Sequence, residues 1–228
     1  MHIISTFYIS NTGSCEDNER TEELVYCILH NMSRPYVEKI HLFLDNEQAY
    51  DKIKTFSRFE NYSKIHVIEV GKQPKYTDIF KYAMENLKDE ICMITNADIY
   101  LHECDVTLLE RLKNDNIAYA ISRYEADMNA PAVNNYHGSH DCYIFKMNVN
   151  STILDEVDFH QNHTGIESRI INALCNQGFT IYNPAYQIKI VHLHRIIIRN
   201  HRDWVGLHTI YNDEEFLNSC WYVPPSTI

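Results

Sequence analysis

The chain has few of the residues that break or staple a fold. It carries only six glycines and six prolines in 228 residues. There is no Gly/Ser linker, no low-complexity tract and no internal repeat. The loop after the first apolar stretch, "YISNTGSCEDNER", holds one glycine, so the glycine-rich, arginine-bearing loop expected of a sugar-phosphate nucleotidyltransferase is missing. Seven cysteines form an odd set with no Cys-x-x-Cys pair, which argues against a disulfide framework or a structural zinc site. No apolar run approaches the length of a bilayer span. The opening stretch lacks the basic leader and long apolar core of a signal peptide, and with scattered thiols this predicts a reduced, cytoplasmic setting. In that setting the Asn-x-Ser/Thr tripeptides at Asn31, Asn61, Asn150 and Asn162 are expected to be fortuitous. Positive charge is also scarce. With 20 Lys and Arg against 31 Asp and Glu the net charge is −11, which opposes nucleic-acid partners and anionic membranes.

What is present is a globular composition, 45% hydrophobic and 22% charged, in a chain long enough for one large domain. "HIISTFYIS", "VEKIHLFLD", "KIHVIEV" and "EICMITNAD" read as strands. "NERTEELVYCILHNM", "EQAYDKIKTF", "YTDIFKYAMENL" and "DVTLLERLKN" read as helices between or after them. "IAYAISRYE" and "HDCYIFKM" are further strands, "GIESRIINALCNQG" is a helix closed by Gly178, and "FTIYNPAYQIKIVHLH" is a bent extended segment. Alternating strands and helices predict an open, mostly parallel α/β sheet, whose ligands bind at the carboxyl ends of the strands where strand order switches.

Several groups of residues can carry chemistry at such an edge. Asn96-Ala97-Asp98 ends a buried strand, in the manner of an Asp-x-Asp tripeptide that holds a divalent cation against a diphosphate. Only Asp98 can supply charge, and a turn-capping Asp is the plainer alternative. "KIVHLHRIIIRNHR" gathers Lys189, Arg195, Arg199, Arg202, His192, His194 and His201 in an acidic chain. On an extended segment His192 and His194 point the same way and suit one metal or phosphate; a solvated basic edge is the alternative. Glu167 opens a helix and suits proton abstraction, although Thr164-x-x-Glu167 also matches a capping box. Asp141 enters a strand after a glycine-containing loop and suits contact with a sugar hydroxyl, against the commoner turn acid. Arg123 ends a strand and suits a phosphate, against an ion pair with Glu125 or Asp127.

Taken in order, "FYIS", "PKYTDIFKYAMENL", "ITNADIYL", "AISRYE", "GSHDCYIFK", "GIESRIINALCNQGFTIYNPAYQIKIVHLH" and "IRNH" resemble a group of short nucleotide-sugar glycosyltransferases with the glycosyltransferase A fold. These occur in large DNA viruses, including the N-terminal domain of a chlorovirus capsid-glycan transferase, and in bacterial polysaccharide gene sets. The resemblance implies a single α/β domain over 1–228, with a mixed, mostly parallel sheet flanked by helices and a tail, 202–228, of unassigned packing. It implies a hexosyl- or deoxyhexosyltransferase that uses Mn2+ or Mg2+ and a nucleotide sugar, foremost a UDP-sugar. The acceptor would be a glycan or glycoprotein, and the setting the host cytoplasm for a viral protein. Asp98 is implied as the metal ligand with His192 or His194. Glu167 is implied as the base, where the group more often carries Asp, and Asp141 as a second catalytic acid. Phe7, Tyr8 and Ser10 match the nucleotide-facing edge, Tyr76 and Asp78 the uridine side, and Asn96, Arg123, Arg195 and Arg199 the donor's surroundings. Three other readings stand beside it: an inactive nucleotide-sugar-binding module, kept alive by the neutral Asn96; ranked below it, a sugar-phosphate nucleotidyltransferase, against which the single glycine after the first strand counts; and, further off, a metal-dependent hydrolase using the histidines.

Overall fold

Four short apolar strands build the centre of the protein in a computed structural model that describes residues 1–9, 16–126, 128, 140–161, 166–195 and 223–228. β1 (His2–Phe7), β2 (Lys39–Leu44), β3 (Ile65–Glu69) and β4 (Ile91–Thr95) pair in parallel. Parallel pairing needs crossover connections. Helices α1 (Glu16–Met32), α2 (Glu47–Lys54) and α3 (Tyr76–Asn86) supply them.

Then follow β5 (Ile99–Cys104), α4 (Val106–Asn114), β6 (Ile117–Ile121), β7 (Tyr124–Glu125) and β8 (Cys142–Lys146). α5 (Ile153–Glu156), α6 (Ile166–Asn176), β9 (Thr180–Tyr182) and β10 (Ile188–His192) complete the described strands and α-helices, beside two short 3-10 turns at Thr55–Arg58 and Tyr62–Lys64.

The large sheet has the order β3-β2-β1-β4-β8-β6-β9. β8 runs antiparallel between β4 and β6, and the other pairings are parallel. The mixed, mostly parallel sheet expected from the sequence is therefore the one found. Side chains alternate across it. Ile3 and Met93 pack with Leu24, Ile28, Leu108 and Leu112 on one face. Ile4, Cys92 and Ile94 pack with Ile79, Phe80, Ile170 and Leu174 on the other. With helices on both faces, every residue of β4 and β6 is buried.

A second sheet of order β5-β10-β7 leans on this frame. β5 is an addition to the elements expected from the sequence. Its inward residues Ile99 and Leu101 are buried while His102 and Glu103 are exposed. α1 covers its outer edge: Asn31 Nδ2 donates to Ile99 O at 3.1 Å and Leu101 N donates to Asn31 Oδ1 at 2.8 Å. That burial removes Asn31 from reach as a glycosylation acceptor. The single strand expected over 117–125 divides in two. Ser122 N donates to Asn183 Oδ1 at 3.1 Å and Asn183 Nδ2 donates to Ser122 Oγ at 2.9 Å, so β6 stays in the large sheet and β7 crosses to the small one. The bent extended segment divides likewise, with β9 in the first sheet and β10 in the second.

The strand order sets the position of the site. From β1 the chain builds outward through β2 and β3, then returns to the other side of β1 with β4. The crevice at the carboxyl ends of β1 and β4 is thus a topological switch point. Tyr8 and the Asn96–Asp98 turn lie beside it.

Candidate active site

Asp98 sits in the tight turn that leaves β4, closed by Ile99 N donating to Asn96 O at 3.3 Å. Leu193 N donates to Asp98 O at 2.9 Å, so the segment after β10 is clamped onto this turn. The antiparallel register opposes His192 to Ile99. It brings two histidines onto one carboxylate. His192 Nε2 lies 3.2 Å and His194 Nδ1 3.3 Å from Asp98 Oδ2. The two rings stack with centroids 5.0 Å apart, as alternate residues of an extended segment should.

A third group reaches the same oxygen. Arg20 Nη2 donates to Asp98 Oδ2 at 2.6 Å. Arg20 Nη1 donates to Glu23 Oε2 at 2.9 Å and to Leu193 O at 3.1 Å, while Glu23 Oε1 accepts from Arg195 N at 2.9 Å. Arg20, Glu23 and Asp98 are all buried. Burial alone would push the Asp98 carboxyl up; the hydrogen bonds of His192 and His194 and the charges of His192 and Arg20 hold it well below the ordinary carboxylate range. Burial alone would likewise lower His192, and Asp98 reverses that and raises it.

A second carboxylate lies one step away. Asp141, just before β8, accepts from Arg123 Nη1 at both oxygens, each at 3.2 Å, and from Asn96 Nδ2 at 3.0 Å. Arg123 Nε donates to Glu125 Oε1 at 2.9 Å. Glu125 Oε2 faces His192 Nδ1 at 3.3 Å. One chain of contacts therefore runs from Asp98 through His192, Glu125 and Arg123 to Asp141 and Asn96.

The donor set suits a divalent cation. One oxygen of Asp98 and one nitrogen from each histidine lie within 4.8 Å of one another. His192 presents Nε2 while a carboxylate backs its Nδ1, the arrangement that orients metal-binding imidazoles. His194 Nε2 is buried without a hydrogen-bond partner among the described residues. A carboxylate with two imidazoles accommodates Mn2+ and similar ions better than the all-oxygen cage that Ca2+ prefers.

The structure brings together Asn96, Asp98, Arg123, Asp141, His192 and His194. Arg195 is exposed beside them, with its backbone tied to Glu23. Phe7 is buried in the core and Tyr8 is half-buried. Tyr76 is buried edge-on against Phe159, and Asp78 Oδ2 accepts from Lys75 N at 2.9 Å, capping α3. Nearby, Gln161 Oε1 accepts from Thr6 Oγ1 at 3.1 Å, which joins this wall to the end of β1. Glu167 lies on α6, but its side chain, like Ser10, Arg199, Arg202, His201 and the tail residues 202–222, lies outside the described residues.

Arg20 and Glu23 are absent from the sequence-based set. Their signal was periodicity: Arg20 shares the helical face of Leu24, Cys27 and Asn31, all buried.

No family model matches the sequence, and no curated protein matches it. Solved structures do share its fold. A mannosyltransferase from Pyrobaculum calidifontis, in complex with GDP-Man and Mn2+, superposes with a TM-score of 0.55 at 11% identity, over 85% of this chain and 57% of that one. GalNAc-T7, with UDP, GalNAc and Mn2+, gives 0.53 at 9%, over 86% and 44%. TarS of S. aureus gives 0.52 at 9%, over 82% and 36%. The chain thus spans about half or less of the length of these structures. Its fold is the glycosyltransferase A fold of nucleotide-diphospho-sugar transferases.

Proposed function

We propose that the protein is a metal-dependent glycosyltransferase, moving a sugar from a nucleotide-sugar donor, foremost a UDP-sugar, to a hydroxyl of a glycan or glycoprotein. One observation carries the reading: Asp98, His192 and His194 converge at the carboxyl end of β4, beside the strand-order switch. The shared fold supports it, as does the presence of Mn2+ and a nucleotide or nucleotide sugar in two of the similar structures.

In this reading Asp98, His192 and His194 hold Mn2+ or Mg2+, which when bound offsets the negative charge that develops on the departing diphosphate. Arg195, exposed at the rim, adds charge to the same leaving group, with Arg199 further along the chain. Tyr8 and Ser10 border the nucleotide, while Phe7 stays in the core beneath this edge. Tyr76, buried against Phe159, and Asp78, capping α3, support the base-side wall from behind. Asn96 and Arg123 fix the Asp141 carboxylate, which orients a sugar or acceptor hydroxyl. Glu167 takes the proton of the attacking hydroxyl as the new C–O bond forms.

The test is a panel of UDP- and GDP-sugars with and without Mn2+, read by thermal shift and by nucleotide release. A true donor raises Tm only when Mn2+ is present and is slowly hydrolysed. Absence of stabilisation by every nucleotide sugar overturns the proposal. A second reading, a nucleotide-sugar-binding module without turnover, draws on Asn96: it brings no charge, and its amide donates to Asp141. Stabilisation without nucleotide release selects that reading.

A further inference from the structure

Three donors converge on Oδ2 of Asp98, and they differ in kind. His192 and His194 can present lone pairs to a cation once neutral. Arg20 cannot, because a guanidinium keeps its proton and its charge at any ordinary pH. It nevertheless makes the shortest of the three contacts, 2.6 Å. It has little freedom to leave. The side chain is buried, and its other amino group is held by Glu23 and by Leu193 O. Glu23 is itself pinned by Arg195 N. A cation coordinated at Asp98 would therefore share its carboxylate with a fixed positive charge.

We propose that Arg20 is an internal counter-ion that competes with the divalent cation for Asp98 and so couples cation binding to the donor's diphosphate. This rests on the metal-dependent reading above. Without a diphosphate, cation and guanidinium repel across one carboxylate. A nucleoside diphosphate brings several negative charges, which meet the cation directly and offset the buried guanidinium through space. Cation and nucleotide then bind as a pair, and by linkage each raises the affinity of the other by the same factor. A merely structural Arg20, tying α1 to the β4 turn, would affect stability but not that factor.

The experiment is titration of the full chain with Mn2+, alone and with saturating UDP or GDP, with free Mn2+ read by electron paramagnetic resonance. For the native protein we expect weak binding of Mn2+ alone and binding tighter by ten-fold or more with the nucleotide. For Arg20→Gln we expect Mn2+ alone to bind about ten-fold tighter than to the native protein, with the nucleotide effect reduced toward one. The double variant R20Q/E23Q removes both charges of the buried pair and should behave as R20Q does, which keeps the test intact if R20Q fails to fold. R20K, which keeps the charge, should retain most of the coupling.

Equal or weaker Mn2+ binding by both glutamine variants, with the nucleotide effect intact, overturns the role of Arg20 while leaving the metal site standing. Absence of Mn2+ binding by every form, with or without nucleotide, overturns the metal site and this inference together.

Discussion

At the carboxyl end of the large sheet His192 faces carboxylates on both ring nitrogens, Asp98 on one and Glu125 on the other. At the amino end His41 faces two neutral groups, the His2 ring at 3.1 Å and the Tyr82 hydroxyl at 2.9 Å. Both histidines are withdrawn from water, and burial works to discharge both. At the carboxyl end Asp98 overrides it and His192 is raised. At the amino end burial is reinforced by His2, His66 and Lys39, and His41 falls to about 3. The same residue type is thus kept ready for charge at one edge and kept neutral at the other. The amino end holds strands together, and the carboxyl end concentrates charge where a ligand would enter.

Removing the charge of Asp98 would make the first edge like the second. Asp98→Asn keeps the shape of the turn and the contact to Arg20. It is expected to lower nucleotide release from the donor by roughly 10²–10³-fold, the cost of one lost charge-stabilising group. Far-UV circular dichroism should show the fold retained. Turnover at the native rate would remove Asp98 from the chemistry and leave the two edges equivalent.

The next largest effect falls on stability. The Asp141 side chain is only 4% exposed, and Arg123 pairs with it at 3.2 Å. Arg123→Met would take that positive charge away from a buried carboxylate, at an expected cost of about 3 kcal/mol in urea unfolding. The double variant R123M/D141N should recover most of it, and the cycle measures their coupling. Additive losses would show that the two residues act independently and that the carboxyl end is no more coupled than an ordinary surface.

The contrast between the edges also explains what could be read from the sequence. The alternation of strands and helices, the buried β4 and the location of Asp98 at its end were legible, because apolar periodicity records burial directly. Strand order was not. Nothing local in "HDCYIFKM" tells that β8 inserts antiparallel between β4 and β6. β5 was obscured because it directly follows the Asp98 turn and carries the exposed polar residues His102 and Glu103. Arg20 lies in "EDNERTEE", where a lone cation among acids reads as a surface residue; only its helical phase with Leu24 reveals that it faces inward. Asp141 and Arg123 were each recognisable as chemically interesting. The Arg123–Glu125 ion pair, the alternative reading of Arg123, is present; that Arg123 also reaches Asp141 and Glu125 reaches His192 depends on the crossing of β7 into the second sheet, which no spacing encodes.

The smallest expected effect tests the amino end. One polarity satisfies its whole chain of rings. Tyr82 O–H donates to His41 Nδ1, His41 Nε2–H donates to His2 Nδ1, and His2 Nε2–H points toward Glu38 and Glu90, 3.7 and 3.9 Å away. Since His41 titrates at about 3 when folded and near 6.5 when unfolded, the unfolded chain binds the extra proton between those values. Stability therefore falls as pH drops below about 6.5, by no more than about 1.4 kcal/mol per pH unit for this one proton. His30, lowered to about 4 by burial and Arg34, adds to the slope in the same direction. His41→Leu removes the first contribution and leaves the second. Urea unfolding between pH 7.5 and 4.5 should thus show a shallower loss for H41L than for the native protein, even where H41L starts from a lower stability. An unchanged slope would mean that His41 charges as readily in the folded protein as in the unfolded chain, and that burial beside neutral partners does not set the state of histidine at this edge.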